Sequence, residues 1–551
     1  MKKYGYLALT SVLSMVLVVT ACSKEHAPSP ESPGAGTPNA PAKKVDITVS
    51  VYDRGNVPAA EGKIENNRWT KWLNENGPAN VTFVPIPRTD PAQKWNVLFA
   101  SQSAPDVIHE FDPNILNPLI DQKQLMPLDD LIEKHSVEYK QLLKDYPGLK
   151  KVTTGPDGKI YKIGRVLETS PLNALFIRTD WLKALNLEVP KTTEELYQVA
   201  KAFAEKDPDG NGKKDTYGMA LSWRSENVID GMFGSPGPSY GLVNGQPSRA
   251  FEYTKESVAF KKRLFDEGIV DKDFANDKNG AKVKQEFLNG KIGIYPTYVG
   301  SWFEFTVSDV ATLRKSAPNA MVEPIALPKS SAGEYVPELQ NPLQATTAIN
   351  AKTKDPAAVI QYIDFLDRKS TGRTLLFGLE GTHHNVDANG CPKPIDAEKM
   401  KAEVNWASDF AQSYARLLDG KCSLISNQFD PSKPEQKAGL EMFEKAKKLY
   451  MDPSKQYRTV TLGEHMPTLP KELQTILNTV TKDINDIWLK SVLGGEKNTV
   501  DQAYKDVLST WDKAGGKQID EFMIDWYKNK KDSSFLMKDL WDTAAMQAQL
   551  K

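Results

Sequence analysis

From Val45 onward the chain alternates β-branched runs with amphipathic helical stretches, and this restricts its fold more than any other feature. Val45-Asp46-Ile47-Thr48-Val49-Ser50-Val51-Tyr52 reads as a strand, and Val81-Thr82-Phe83-Val84-Pro85-Ile86 as a second. A helix is predicted between them over 69–74, another over 91–99, and a third strand over 105–108. The pattern recurs with a strand over 173–178, a short helix over 180–185 and an amphipathic helix over 192–204. Thr192 or Thr193 can cap that helix, and Glu194 and Glu195 complement its N-terminal dipole. A strand follows at 292–295, then a helix over 355–368 with Pro356 in its first turn. Strands alternating with helices predict a parallel α/β sheet. The C-terminal stretch is predicted to be helical, with apolar periodicity through Ile476, Val480, Ile484, Ile487, Trp488 and Val492, then Val507, Trp511, Ile519, Phe522 and Trp526.

Ahead of this region lies Met1-Lys2-Lys3, an apolar run over 7–21, and Cys22. A core of about 15 apolar residues is too short to span a bilayer, so residues 1–21 are predicted to be a signal peptide. Val19-Thr20-Ala21-Cys22 is similar to a bacterial lipobox, in which Cys22 is lipidated; an ordinary signal followed by a chance cysteine is the alternative. Residues 22–44 are then the lipidated cysteine and a flexible linker, dominated by Pro, Ser, Gly, Ala, Glu and Lys, which cannot bury enough apolar surface to fold. The expected location is the extracytoplasmic face of the cell membrane, with the lipid as anchor.

The 70 basic and 71 acidic residues leave a net charge of −1 with no basic block, which argues against nucleic acid as a partner. Cys391 and Cys422 are the cysteines that remain after lipidation. In an exported protein such a pair can form a disulfide; two buried thiols are the alternative.

The chain resembles the family 1 extracellular solute-binding proteins of bacterial ABC sugar importers. The resemblance is carried in order by Ser103-Ala104-Pro105-Asp106-Val107-Ile108, Leu125-Met126-Pro127-Leu128-Asp129-Asp130-Leu131-Ile132, Asp157-Gly158-Lys159-Ile160-Tyr161, Arg178-Thr179-Asp180-Trp181-Leu182, Pro190-Lys191-Thr192-Thr193-Glu194-Glu195-Leu196, Phe287-Leu288-Asn289-Gly290-Lys291-Ile292-Gly293 and Lys354-Asp355-Pro356-Ala357-Ala358. Glu380-Gly381-Thr382-His383-His384 matches the large calcium-bearing branch that includes alginate-binding and LplA-like lipoproteins. The resemblance implies an α/β, two-lobed periplasmic-binding-protein-like fold with an interlobe ligand cleft and a helical C-terminus. By analogy one lobe contains 45–168 plus 345–410, and the other 170–343 plus 411–551. Closure of the hinge around the solute would be the signal to the permease.

Asp207-Pro208-Asp209-Gly210-Asn211-Gly212-Lys213-Lys214-Asp215 is the sharpest local motif. Oxygen-bearing side chains at loop positions 1, 3, 5 and 9, with Gly212 at position 6 and the Lys213 carbonyl at position 7, follow the spacing of an EF-hand-type calcium loop. Gly218 stands where such a loop has its bidentate Glu. The family branch instead closes the shell with Asp215 and Thr216. The ion is expected to be structural Ca2+, with a solvated turn as the alternative.

Sugars offer hydroxyl edges and weakly apolar faces, so their sites pair aromatic platforms with acids, amides and arginines. In open α/β lobes the ligand lies beyond the carboxyl ends of the strands. That rule selects Tyr52, Asp53 and Arg54, then Glu110 and Asp112, and in the second lobe Trp223, Arg224, Tyr295, Tyr298 and Trp302, with Glu338 near the expected crossover. Arg54, Arg224 and Arg178 could hold a uronate carboxylate bidentately, with surface or hinge ion pairs as the equal alternative. Trp181, Trp488, Trp511 and Trp526 are expected in the core, Arg178 in an ion pair, and His383-His384 in a structural or cleft-lining role. The function expected is a monomeric, lipid-anchored receptor delivering an oligosaccharide, uronate-containing in one version, to an ABC permease. The alternatives are an extracellular polysaccharide-active enzyme and a sugar receptor for a sensor system. An enzyme is disfavoured, because no Gly-x-Ser-x-Gly, His-Glu-x-x-His or phosphate loop is present.

Overall fold

The computed structural model describes residues 44–414 and 422–549. The signal peptide, Cys22 and nearly all of the linker lie outside the described residues. Two sheets organise the rest, built from β1 (Val45–Asp53), β2 (Ala79–Pro87), β3 (Val107–His109), β4 (Lys162–Val166), β5 (Asn173–Arg178), β6 (Tyr217–Met219), β7 (Ile292–Tyr298), β8 (Val322–Ile325) and β9 (Leu343–Ile349). The first sheet is five-stranded in the order β2-β1-β3-β9-β4, and the second is four-stranded in the order β8-β5-β7-β6.

Both sheets are mixed, which corrects the expectation of parallel ones. β1 runs parallel to β2 and β3, but β9 is antiparallel to β3 and β4. In the second sheet β6 and β7 are parallel, whereas β5 is antiparallel to β7 and β8. The reversal has a topological cause. β5 and β9 each enter their sheet from the crossover between the two sheets, so they run against the strands that arrive through helical connections.

Both faces of the first sheet are covered. Ile47, Val49 and Val51 join the cluster of the helix Pro356–Asp367, while Tyr52, Ile86 and Ile108 pack under the helices Pro91–Ala100 and Pro113–Asp121. In the second sheet Leu175, Ile177 and Ile294 pack with the helix Thr193–Glu205 and with the C-terminal helices Lys471–Leu493, Val500–Lys513 and Gly516–Lys530. Thr192 caps the helix Thr193–Glu205 in a capping box closed by Glu195. Trp181, Trp488 and Trp511 are buried, and Trp526 is half-buried. Arg178 is buried against the face of Trp181 and paired with Asp180 at 2.6 Å.

The crossover is a pair of hydrogen-bonded segments: Leu167 N–H donates to Pro342 O, Gln340 N–H to Ser170 O, and Leu172 N–H to Glu338 O, all at 2.8–3.0 Å. The last helix, Met537–Gln549, packs onto it. Gln547 accepts from Thr169 N–H and donates to Leu167 O, and Asp539 pairs with Lys151 at 2.9 Å. That helix therefore touches first-sheet elements as well. Cys391 and Cys422 form a disulfide. Next to it, Ser423 Oγ donates to the Glu168 carboxylate at 2.7 Å.

The pairing fixes which edges oppose each other. His109 pairs with Thr347 and Val166 with Leu343, so the carboxyl ends of β1 to β4 lie where β9 begins, beside the crossover. Tyr298 pairs with Asn173, so the carboxyl ends of β6 and β7 reach the same crossover from the other side.

Candidate functional site

On the first sheet, the register Asp53↔Pro87 releases β1 and β2 side by side, and Arg88 N–H donates to Asp53 O at 2.9 Å. Tyr52 is buried and stacks on Phe111, with ring centres 5.5 Å apart and planes 4° from parallel. Three guanidinium groups surround this pair. Arg88 lies 4.8 Å from the centre of Tyr52, Arg165 lies 5.0 Å from Phe111, and Arg54 lies 6.0 Å from Tyr52. Arg165 donates to Gln344 Oε1 and is buried.

Arg54 grips Asp409 bidentately, Nε to Oδ2 at 2.5 Å and Nη2 to Oδ1 at 3.0 Å. Its fork is therefore filled by the protein, which is the ion-pair alternative and replaces its expected role as a carboxylate ligand. Arg88 is exposed, with no carboxylate in ion-pair range among the described residues, so its fork is open to solvent. Burial and the Glu110 carboxylate push the Tyr52 hydroxyl up, so the ring that backs Phe111 stays neutral. Burial pushes His109 down to about 4, so it is neutral beside Thr347.

On the second sheet Trp223 stands exposed with φ 54°, a backbone conformation that an aromatic residue adopts only under constraint. Its indole lies on Gly280, where a Cβ would meet Cε3 at 2.6 Å. Tyr298 meets it edge-on at 6.3 Å, and Arg224 sits 4.1 Å over Tyr298 and 5.2 Å over Trp223. An exposed, braced indole beside a stacked guanidinium suits a ring with apolar faces and polar edges.

Other expected contacts resolve differently. Tyr295 is buried and stacked on Phe287 at 4.6 Å, and Trp302 is buried with Nε1 donating to Pro171 O at 2.9 Å. Both are core residues, because their side chains pack into the cluster around Phe305; Trp302 meets the crossover only from inside, at the Pro171 carbonyl. Glu110 is buried, accepting from Trp95 Nε1 and from the backbone of Phe111 and Asp112, so it orients the platform. Asp112 caps the helix Pro113–Asp121, and Asp53 accepts from Gly55 N–H. Glu338 sits on the crossover near Asn173 and Arg458. His383 bridges Leu379 N–H and Glu403, a structural role. Sequence reasoning missed Arg88, Arg165 and Asp409. The carboxyl-end rule that found Arg54 applies equally to Arg88, whereas no motif marks the other two.

In the loop 207–216, Asp207 accepts from Asn211 and Gly212 N–H, and the Asn211 amide donates to Asp209 at 2.9 Å and Asp215 at 3.1 Å. Among the described residues no cation pairs with these carboxylates, and no set of three or more His, Cys, Asp or Glu side chains is drawn together as a metal site. Backbone N–H groups hold Asp207 below the usual carboxylate range. Burial and the neighbouring carboxylates push Asp209 up. The Thr216 hydroxyl is buried and donates to Phe203 O at 2.8 Å, so its side chain is committed to the fold, contrary to its expected role as a ligand. The all-oxygen donor set fits a hard cation.

Comparison with known proteins agrees with this architecture. The family model described as bacterial extracellular solute-binding protein matches residues 59–369. The polygalacturonan/rhamnogalacturonan-binding protein YtcQ of Bacillus subtilis (strain 168) is 26% identical over 411 residues, 71% of this chain and 75% of that protein. The fructooligosaccharide ABC transporter substrate-binding protein FusA of Streptococcus pneumoniae serotype 4 is 31% identical over 233 residues, 38% of this chain and 43% of that one. Its structure with kestose superposes with a TM-score of 0.65, covering 88% of this chain and 99% of that one at 20% identity, and an EF-hand mutant of it has also been solved. The alginate-binding protein AlgQ2, solved without calcium ion, gives a TM-score of 0.62 at 22% identity, covering 89% and 99% of the two chains. These likenesses establish the two-lobed fold.

Proposed function

The chain belongs to the bacterial extracellular solute-binding proteins, a family of binding proteins rather than enzymes, and from that premise we propose that it captures an oligosaccharide containing uronic acid units and delivers it to an ABC permease. The observation that carries this reading is the pair of aromatic and guanidinium clusters at the strand ends on either side of the crossover. Trp223 with Tyr298 and Arg224 supplies one sugar platform. Phe111, backed by the buried Tyr52, supplies the other face with Arg88. Stacking takes the apolar face of a sugar ring, and the forks of Arg88 and Arg224 suit a carboxylate. YtcQ and AlgQ2, by their descriptions, bind polymers of acidic sugars, which supports the same class. The two lobes follow 45–168 plus 345–410 and 170–343 plus 411–551, except that Gln412, Tyr414, Cys422 and Asn427 attach to the first through Arg165, Gly372, Cys391 and Pro392, and the last helix bridges the two.

Calcium belongs in this reading as a structural ion. Asp207, Asp209, Asn211 and Asp215, with the Lys213 carbonyl, would hold it, and its charge would relieve the repulsion among three carboxylates. Cys22 would carry the lipid that tethers the monomer to the outer face of the membrane, with the linker as its leash.

Calorimetric titration with trigalacturonate tests the reading. Micromolar binding corresponds to about 8 kcal/mol, within reach of a few stacked and hydrogen-bonded contacts. Trp223→Ala is expected to lower the affinity at least tenfold without changing the melting temperature by more than a few degrees. Turnover of the sugar, or unchanged affinity in the variant, would refute the proposal.

A further inference from the structure

Lys162, the first residue of β4, has its side chain buried, yet no carboxylate lies within ion-pair distance of it among the described residues. Its Nζ donates to Asn117 Oδ1 at 3.1 Å, which uses one of three N–H groups. Withdrawing an ammonium from water costs more than one amide hydrogen bond returns, so a cation is kept here without the anion that would offset the cost. Burial pushes its pKa down to about 8, with no acidic neighbour to raise it.

Lys162 lines a cavity of about 630 Å³ between the two halves of the molecule. One wall is made by β4 and the helix Pro113–Asp121 of the first sheet. The opposite wall is made by the segment 464–470 and by Phe522, Trp526 and Lys530 of the helix Gly516–Lys530, which packs on the second-sheet side. Asn117 joins the walls, because its Nδ2 donates to Thr468 Oγ1 at 2.9 Å while its Oδ1 accepts from Lys162. The other charged groups on the walls do not neutralise Lys162. Lys151 is paired with Asp539, Glu464 is bonded by the Asn341 amide, and Asp121 is exposed. An aromatic wall, an exposed lysine and a buried unpaired ammonium make this cavity complementary to an acidic ring.

We infer that this interlobe cavity is an anion subsite in which Lys162 receives a carboxylate of the bound oligosaccharide, so that the acidic ligand joins both lobes through it. The inference rests on the proposed function and adds to it a residue that discriminates acidic from neutral sugars. Binding there spans the hinge, so the carboxylate would favour one lobe arrangement over others.

The test compares trigalacturonate with its fully methyl-esterified form, which has the same rings without the charge, by calorimetry on the full chain. Wild type is expected to prefer the acid by at least tenfold. Lys162→Met should erase most of that preference while leaving the ester within twofold, and Lys162→Arg should restore a large part of it. Circular dichroism and melting temperature of both variants confirm that they fold. Equal loss of acid and ester in Lys162→Met, or a preference that survives it, overturns the subsite while leaving the platform at Trp223 standing. Failure of both trisaccharides to bind wild type overturns the subsite and the proposed function together.

Discussion

A lysine ammonium removed from water gives up its proton more readily, and at Lys162 the consequence for stability has a definite sign. Its pKa falls from the ordinary lysine value to about 8 in the folded protein. Between pH 8 and roughly 10.5 the unfolded chain therefore binds more protons than the folded one, and stability rises with pH across that window. The gain is on the order of 3 kcal/mol. Urea unfolding at pH 8 and pH 10 should show wild type gaining stability relative to Lys162→Met; a parallel response of the two proteins would contradict it. Lys151, Asp121, Glu464, His465 and Lys530 share the cavity, so the variant comparison isolates the Lys162 contribution. Arg54 and Arg88 make a second point at this scale. Both leave neighbouring strand ends, and composition treats them alike, but Asp409 fills the fork of Arg54 and leaves Arg88 to solvent. Asp409 lies far along the chain, so nothing near Arg54 in sequence announces it.

Elements with short-range causes were readable. The helix Thr193–Glu205 follows from a cap at Thr192 and a partner at Glu195, and the helix Pro356–Asp367 from Asp355 and Pro356 at its start. Strand direction was not readable, because β5 and β9 take their orientation from the crossover and not from their own residues. The loop 207–216 was legible as oxygen donors at fixed spacing. Its fold shows mutual hydrogen bonding through Asn211 and a Thr216 hydroxyl turned to Phe203. Calcium should raise the melting temperature of wild type by several degrees after EDTA treatment, and Asp209→Ala should abolish that rise. A wild-type melting temperature indifferent to EDTA would remove calcium from the loop.

For the whole molecule, the crossover is the decisive structure. Leu167 to Leu172 and Glu338 to Pro342 are the paired segments, and the last helix clamps them through Gln547. A receptor that hands cargo to a membrane permease gains from being held near it. Cys22→Ser is accordingly expected to move the protein from the membrane fraction to the medium, as judged by immunoblotting of fractionated cells. Retention at the membrane would refute lipid anchoring at that residue. Among the described residues no helix is long and apolar enough to cross a membrane.

The sequence by itself determined the alternation of strands and helices, the caps, the oxygen-rich loop and the residue types that gather at strand ends. Each of these depends on neighbours a few positions away, through side-chain periodicity, dihedral preference or local hydrogen bonding. Only the tertiary structure decided which of those residues converge. It buried Tyr295 and Trp302, engaged Arg54 with Asp409, braced Trp223 on Gly280 and left Lys162 with no carboxylate in ion-pair range among the described residues. The reason is that burial and charge pairing are set by groups far apart in the chain, which the sheet register and the crossover bring together.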